Sequence, residues 1–256
     1  MNKKDISFQL YTARKFQPYK EIFEYIESTG IKNIELFALT DFDQNELKDL
    51  LQQHNLITMS AHISFESLET LEDTIKKIKF LNIKHAIIPA PKAKNGKDFE
   101  EFFNLNESEW IDFAKQLSNH IKIFQDNGLT LGYHNHSFEF IQLPSGKYPM
   151  ELILDQDENL KFEIDLGWSI AGKANPIKWI EKYKNRIIAC HLKDFYSSDD
   201  MLKHSNQSSI GEGFINWKEL LNKISTTKCE VIAIEHDDPK DYKEYINKSL
   251  DFLTKI

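Results

Sequence analysis

Arginine is scarce in this chain. Arg14 and Arg186 are the only two among 32 basic residues, set against 40 acidic ones, for a formal net charge of −8. A surface that follows duplex phosphates normally carries a basic stripe rich in arginine forks, so this balance argues against a nucleic-acid partner. Cysteine is scarcer than any disulfide framework needs. Cys190 and Cys229 form no CxxC pair, and both lie in or beside apolar strand-like runs, where small core residues are expected. No apolar run is long enough to span a bilayer, and MNKKDISFQL passes into a strand pattern without a signal segment. The expectation is a cytoplasmic protein with no membrane partner. Glycine is missing from the first strand–helix turn, QLYTARKFQPY. The main alternative fold, an open doubly wound sheet, often carries a glycine fingerprint there.

What is present is a repeated beat of short apolar run, loop and amphipathic helix across 256 residues. That length suits one domain, 1–256, folded as an α/β (β/α)8 TIM barrel. Strands are expected at Ile6–Leu10, Asn33–Phe37, Leu56–Ile63, His85–Pro89, Leu129–His134, Lys161–Asp165, Ile187–Leu192 and Glu230–Glu235. Helices are expected at Tyr19–Thr29, Asp43–His54 (capped by Asp41 or Asp43), Ser67–Leu81, Ser108–Asn127, Met150–Asp155, Pro176 to about Lys184, and Trp217–Ser225, with a last one from Asp238-Pro239 to about Thr254. The stretches Lys92–Glu107 and Phe195–Gly213 read as loops, and no linker or sequence repeat divides the chain.

Residues at the C-terminal ends of barrel strands face the active site. Here five strands end in residues suited to metals or proton transfer: His62 in SAHIS, His134, His136 and Glu139 in GYHNHSFEF, Asp165 in FEIDLGW, His191 in CHLKD, and Glu235 in IAIEHD. A histidine or aspartate after one strand is usually a cap or a satisfied core group. Glu, Asp, His and Glu after four successive strands form a mixed nitrogen–oxygen donor set, suited to Mn²⁺, Mg²⁺, Co²⁺ or Zn²⁺. Without thiolates it does not resemble a closed structural zinc site.

Read in order, HNHxxEF, ID, HLKD, GEGxIxW and IEHD resemble the xylose isomerase-like superfamily, and within it the sugar phosphate isomerase/epimerase group. The likeness runs from about Ile6 to the last helix. It implies one divalent metal ion held by Glu139, Asp165, His191 and Glu235. Many relatives carry the first glutamate at the strand end, where this chain has His134, so His134 stays open as the alternative ligand. It also implies a small carbohydrate substrate and admits a homo-oligomer.

The chemistry implied is removal of a proton beside a carbonyl. A cation on the carbonyl and adjacent hydroxyl stabilises the enediolate, and Glu235 and Glu139 carry the proton. His62, His134, His136, Lys193, Glu212 and Trp168 are then expected to contact substrate. Gly211 and Gly213 either let the backbone approach a ligand or are ordinary turn glycines. An isomerase or epimerase is the first expectation. A lyase that expels a β-leaving group from a keto-inositol or 3-keto-sugar is the alternative, with a histidine of the HNH run assisting departure. An apurinic endonuclease needs more histidines at the mouth, where Trp168 and Pro89 stand. A catalytically dead sugar-binding barrel would leave the carboxylates uncompensated.

Overall fold

The computed structural model describes residues 1–39, 43–93 and 99–256. Its strands are β1 (Ile6–Gln9), β2 (Asn33–Glu35), β3 (Ser60–His62), β4 (His85–Ile88), β5 (Thr130–His134), β6 (Lys161–Asp165), β7 (Ile187–Leu192), the short pair β8 (Asp194–Phe195) and β9 (Gln207–Ser208), and β10 (Val231–Ile234). Eight of them form one parallel sheet in the order β2-β1-β10-β7-β6-β5-β4-β3. Parallel bridges Asn33–Ile57 and Leu36–Ala61 join its two edges and close the barrel. From 33 to 36 is three steps and from 57 to 61 is four, so the β3 side carries one extra residue at this seam. The expected single-domain (β/α)8 barrel is what the chain forms.

The helices are α1 (Tyr19–Thr29), α2 (Gln44–Gln53), α3 (Leu71–Phe80), α4 (Glu107–Asp126), α5 (Pro149–Asp155), α6 (Leu166–Ala171), α7 (Pro176–Tyr183), α8 (Trp217–Ile224) and α9 (Tyr242–Leu253). Local chemistry sets their ends. α1 stops at Gly30, whose φ of 92° suits a left-handed cap. Asp43 caps α2 by accepting from the amides of Asn45 and Glu46; Asp41 lies outside the described residues. α4 begins with an Asn106–Glu109 capping box, and α7 with Asn175 and Pro176. No helix among the described residues is long and apolar enough to cross a membrane. Both cysteines are free; Cys190 is buried and Cys229 half-buried.

Some elements differ from expectation. The helix expected over Ser67–Leu81 is split into a 3-10 turn, Phe65–Leu68, and α3. α6 follows β6 directly, because Asp165 caps it by accepting from the Trp168 amide. The loop expected over Phe195–Gly213 contains β9, which pairs antiparallel with β8.

Register decides which side chains face the axis, because paired residues point the same way. The small interior cluster of Ile87, Ile188, Ala189, Val231 and Ala233 is separate from the main core between sheet and helices. Ile87 is paired with His62, Ala189 with Glu163 and Ala233 with His191. The polar residues therefore sit inside the barrel above a small apolar plug.

Candidate metal centre

His134, Asp165, His191 and Glu235 each present one ligand-type atom, and these four atoms all lie within 4.8 Å of one another; all four residues are buried. His191 Nδ1 lies 3.0 Å from Glu235 Oε2. Lys193 Nζ is 3.1 Å from the same oxygen, 2.6 Å from Asp237 and 3.8 Å from Asp165, and sits 4.8 Å from the centre of the Trp168 ring. Burial works against the Lys193 ammonium, but Asp237, Glu235 and Asp165 outweigh it and raise its pKa.

This donor set fits a divalent cation. Asp165 Oδ1 accepts from the Trp168 amide, while Oδ2 is buried without a hydrogen-bond partner among the described residues. Burial pushes the Asp165 carboxyl up to about 7, with Lys193 opposing. Asp165, Glu235 and Asp237 gather around one ammonium, and a cation supplies the charge they lack.

Glu139 is not gathered into this set. Its Oε1 accepts from the Tyr133 hydroxyl at 2.6 Å and its Oε2 from the His136 amide at 2.8 Å. Along β5, Tyr133 alternates with inward-facing His134 and packs its ring 5.6 Å from Phe113 of α4, so a carboxylate bound to it is held on the outer side of the strand. Burial pushes Glu139 up to about 8. The residue brought to Asp165, His191 and Glu235 is the strand-end alternative, His134.

Glu212 is also elsewhere. It is exposed and pairs with Lys248 of α9 at 3.0 Å. The neighbouring glycines serve packing. Gly211 has φ 90°, and a Cβ there would overlap the Phe252 ring; at Gly213 it would overlap the Asp194 carboxylate and the Phe195 carbonyl. Asp194 accepts from the Trp217 indole at 2.7 Å and from the amides of Gly211 and Phe195 at 2.9 Å. Trp217 is therefore core.

Beneath the four converging residues lies a layer that strand-end reasoning missed. Glu163 Oε2 is 2.5 Å from His62 Nε2, 2.9 Å from His134 Nδ1 and 3.4 Å from His191 Nε2. Glu35 Oε2 accepts from Gln9 Nε2 at 2.8 Å and pairs with His191 Nε2. The signal was spacing: Glu163 precedes Asp165 by two positions on one strand, so both face the axis. His62 is thus turned to Glu163.

At the mouth, the His136 ring stacks on Phe138 at 5.3 Å, with Phe99 at 5.1 Å and Trp168 at 6.1 Å. His136 Nδ1 and Trp168 Nε1 are buried without hydrogen-bond partners among the described residues. Burial lowers His136 to about 3, so its ring is neutral near pH 7.

A family model described as xylose isomerase-like TIM barrel matches residues 20–256. The chain belongs to that family. Among its relatives, an inosose dehydratase of Clostridium botulinum (strain Alaska E43 / Type E3) is 26% identical over 194 residues, covering 70% of this chain and 64% of its own. The chain thus spans about two thirds of that relative's length. In fold, it is similar to a sugar phosphate isomerase/epimerase from Parabacteroides distasonis ATCC 8503, with a TM-score of 0.76, 21% identity, and 99% and 94% of the two chains covered. It is also similar to the IOLI protein, solved with a zinc atom, with a TM-score of 0.71, 16% identity and 98% of each chain covered. What this chain shares with the family is the barrel itself.

Proposed function

We propose that the chain is a divalent-metal-dependent dehydratase, a lyase removing water from a keto-cyclitol or a 3-keto-sugar. The observation that carries this reading is the buried convergence of His134, Asp165, His191 and Glu235 beside Lys193. The relative named inosose dehydratase supports the choice of reaction. His134, Asp165, His191 and Glu235 would hold the cation, which when bound polarises the ketone oxygen and acidifies the adjacent C–H.

The chain's own groups do the rest. Burial opposes the charge on Glu235, but Lys193 and His191 outweigh it and hold its pKa well below the usual carboxylate range, so it is ionised. Its role is to take the proton that the adjacent C–H releases. The electron pair of the broken C–H bond becomes the new C=C bond as the β-carbon–oxygen bond breaks. The proton held by Glu235 departs with the hydroxyl as water. Neutral His136 offers its unpartnered Nδ1 to that hydroxyl, and Trp168 offers its ring and free N–H to the substrate. Lys193 supplies positive field to the charge developing on the substrate oxygen.

Isomerase or epimerase chemistry, the first expectation from sequence, uses Glu139 as the second proton carrier. Both its oxygens are engaged by Tyr133 and His136, which favours elimination. The test is a metal-replete screen of inososes, 3-keto-glycosides and ketoses, read by mass and by deuterium uptake from solvent. Loss of one water from a keto-cyclitol or 3-keto-sugar is expected, and Glu235→Gln should abolish it while keeping the fold. Conversion of a ketose without change of mass would reverse the assignment.

A further inference from the structure

Glu163 and Glu35 belong to neither proton carrier nor mouth, yet they face the two imidazoles that the proposed cation would use. Glu163 Oε2 alone meets His62 Nε2, His134 Nδ1 and His191 Nε2, at 2.5, 2.9 and 3.4 Å. Glu35 Oε2 meets His191 Nε2 and is held from its other side by Gln9. An ionised carboxylate only accepts, so each ring nitrogen facing it carries a proton. For His134 this leaves the lone pair on Nε2. For His191 the opposite nitrogen, Nδ1, itself faces Glu235 Oε2 at 3.0 Å; without a cation it shares a proton with that carboxylate, and a cation bound between the two would displace that proton while Nε2 stays held by Glu163 and Glu35.

A cation seated in the lower layer itself is the competing reading, because His62, His134, Glu163 and His191 also present atoms within 4.8 Å of one another. The spacing disfavours it. Donors bound to one ion at about 2.0–2.2 Å, at tetrahedral or octahedral angles, lie about 3 Å or more apart. The 2.5 Å between His62 and Glu163 is a hydrogen bond.

We propose that Glu163, seconded by Glu35, is a positioning residue that fixes the tautomer and orientation of His134 and His191 and thereby sets the affinity for the cation. This rests on the metal centre of the preceding reading. Replacing Glu163 by glutamine keeps the shape but adds an N–H donor. Turned toward the imidazoles, that donor forces a facing ring to its other tautomer and aims a proton at the cation; turned to the unpartnered Oε1 position, it is buried unsatisfied, and the rings face a neutral acceptor in place of a carboxylate.

The experiment is titration of the whole chain with Co²⁺, followed by its visible absorption and by calorimetry, for wild type, Glu163→Gln and Glu35→Gln. Wild type should bind one equivalent. Glu163→Gln should bind the same one equivalent 10–100-fold more weakly, with an unchanged circular dichroism spectrum. Glu35→Gln should weaken binding about tenfold or more, and it serves alone if Glu163→Gln does not fold. A merely structural role would lower the melting temperature of the metal-free variant and leave its Co²⁺ affinity unmoved, which would overturn the proposal. Two equivalents in wild type falling to one in Glu163→Gln would overturn it too, by making Glu163 a ligand. No binding by wild type would sink the functional reading itself, and this inference with it.

Discussion

Tyr133 donates its hydroxyl to Glu139 at 2.6 Å, on the opposite side of β5 from His134. That one bond assigns the carboxylate of the HNHxxEF run to the scaffold. Through its other oxygen Glu139 holds the His136 amide, and with it the loop that presents the His136 ring.

Glu139→Gln is therefore expected to retain a full equivalent of metal, whereas His134→Ala should lose it; elemental analysis after dialysis distinguishes them. Burial raises the folded-state pKa of Glu139 from 4.5 to about 8. A raised folded pKa means its contribution to stability is complete below about 4.5 and is lost as pH rises through about 8. Glutamine is neutral throughout; its amide oxygen can take the His136 amide while its N–H₂ donates to Tyr133. The stability of wild type relative to Glu139→Gln should fall between pH 4.5 and 8, by at most about 1.4 kcal/mol per pH unit, as denaturant titrations would measure.

Metal removal should expose the strain of gathered carboxylates. At a free cation concentration near 100 times Kd, binding stabilises the fold by about 2.7 kcal/mol. A chelator should lower the melting temperature of wild type and leave that of Asp165→Asn unchanged. Equal shifts in both would place the cation elsewhere.

Lys193 is buried 3.1 Å from Glu235 and 2.6 Å from Asp237. Lys193→Met should lower kcat by about 10²–10³-fold with a smaller change in KM. Near-normal kcat in a folded Lys193→Met would remove the ammonium from the mechanism.

Asp194 ties β8, Gly211 and the Trp217 indole together. Asp194→Ala leaves these donors unpaired in a buried setting and should cost about 3 kcal/mol or more, read from chemical denaturation. Substrate contacts are not its role, so residual activity of the folded fraction should persist.

Much of the scaffold was legible because periodicity and punctuation agreed. β6, β7 and α1 have the bounds that the apolar pattern and Gly30 predict. Asp165, His191 and Glu235 were legible as strand-end residues, and the structure brings them together. The motif specifies order along the chain, while strand alternation decides the face: in this structure Glu139 is bonded to Tyr133 and His134 stands with Asp165, His191 and Glu235. Glu163 lies within its strand and is marked only by its two-residue spacing from Asp165; Glu35 is hidden because the apolar run to Phe37 extends past the point where β2 ends, at Glu35 itself. α6 was missed because six residues are too few for a helical period, and its cap is the same Asp165 read as a ligand.

The extra residue at the β2–β3 seam carries a consequence for chemistry. Asn33 pairs with Ile57, but Leu36 pairs with Ala61, so side-chain parity inverts between Ile57 and Ala61. Downstream of that inversion Ala61 faces the helices and His62 the axis. Deleting one residue from the Thr58–Met59 stretch would rotate the imidazole out of the barrel and a methyl group in. The site's wiring thus depends on an odd or even count in a segment that bears no catalytic group of its own.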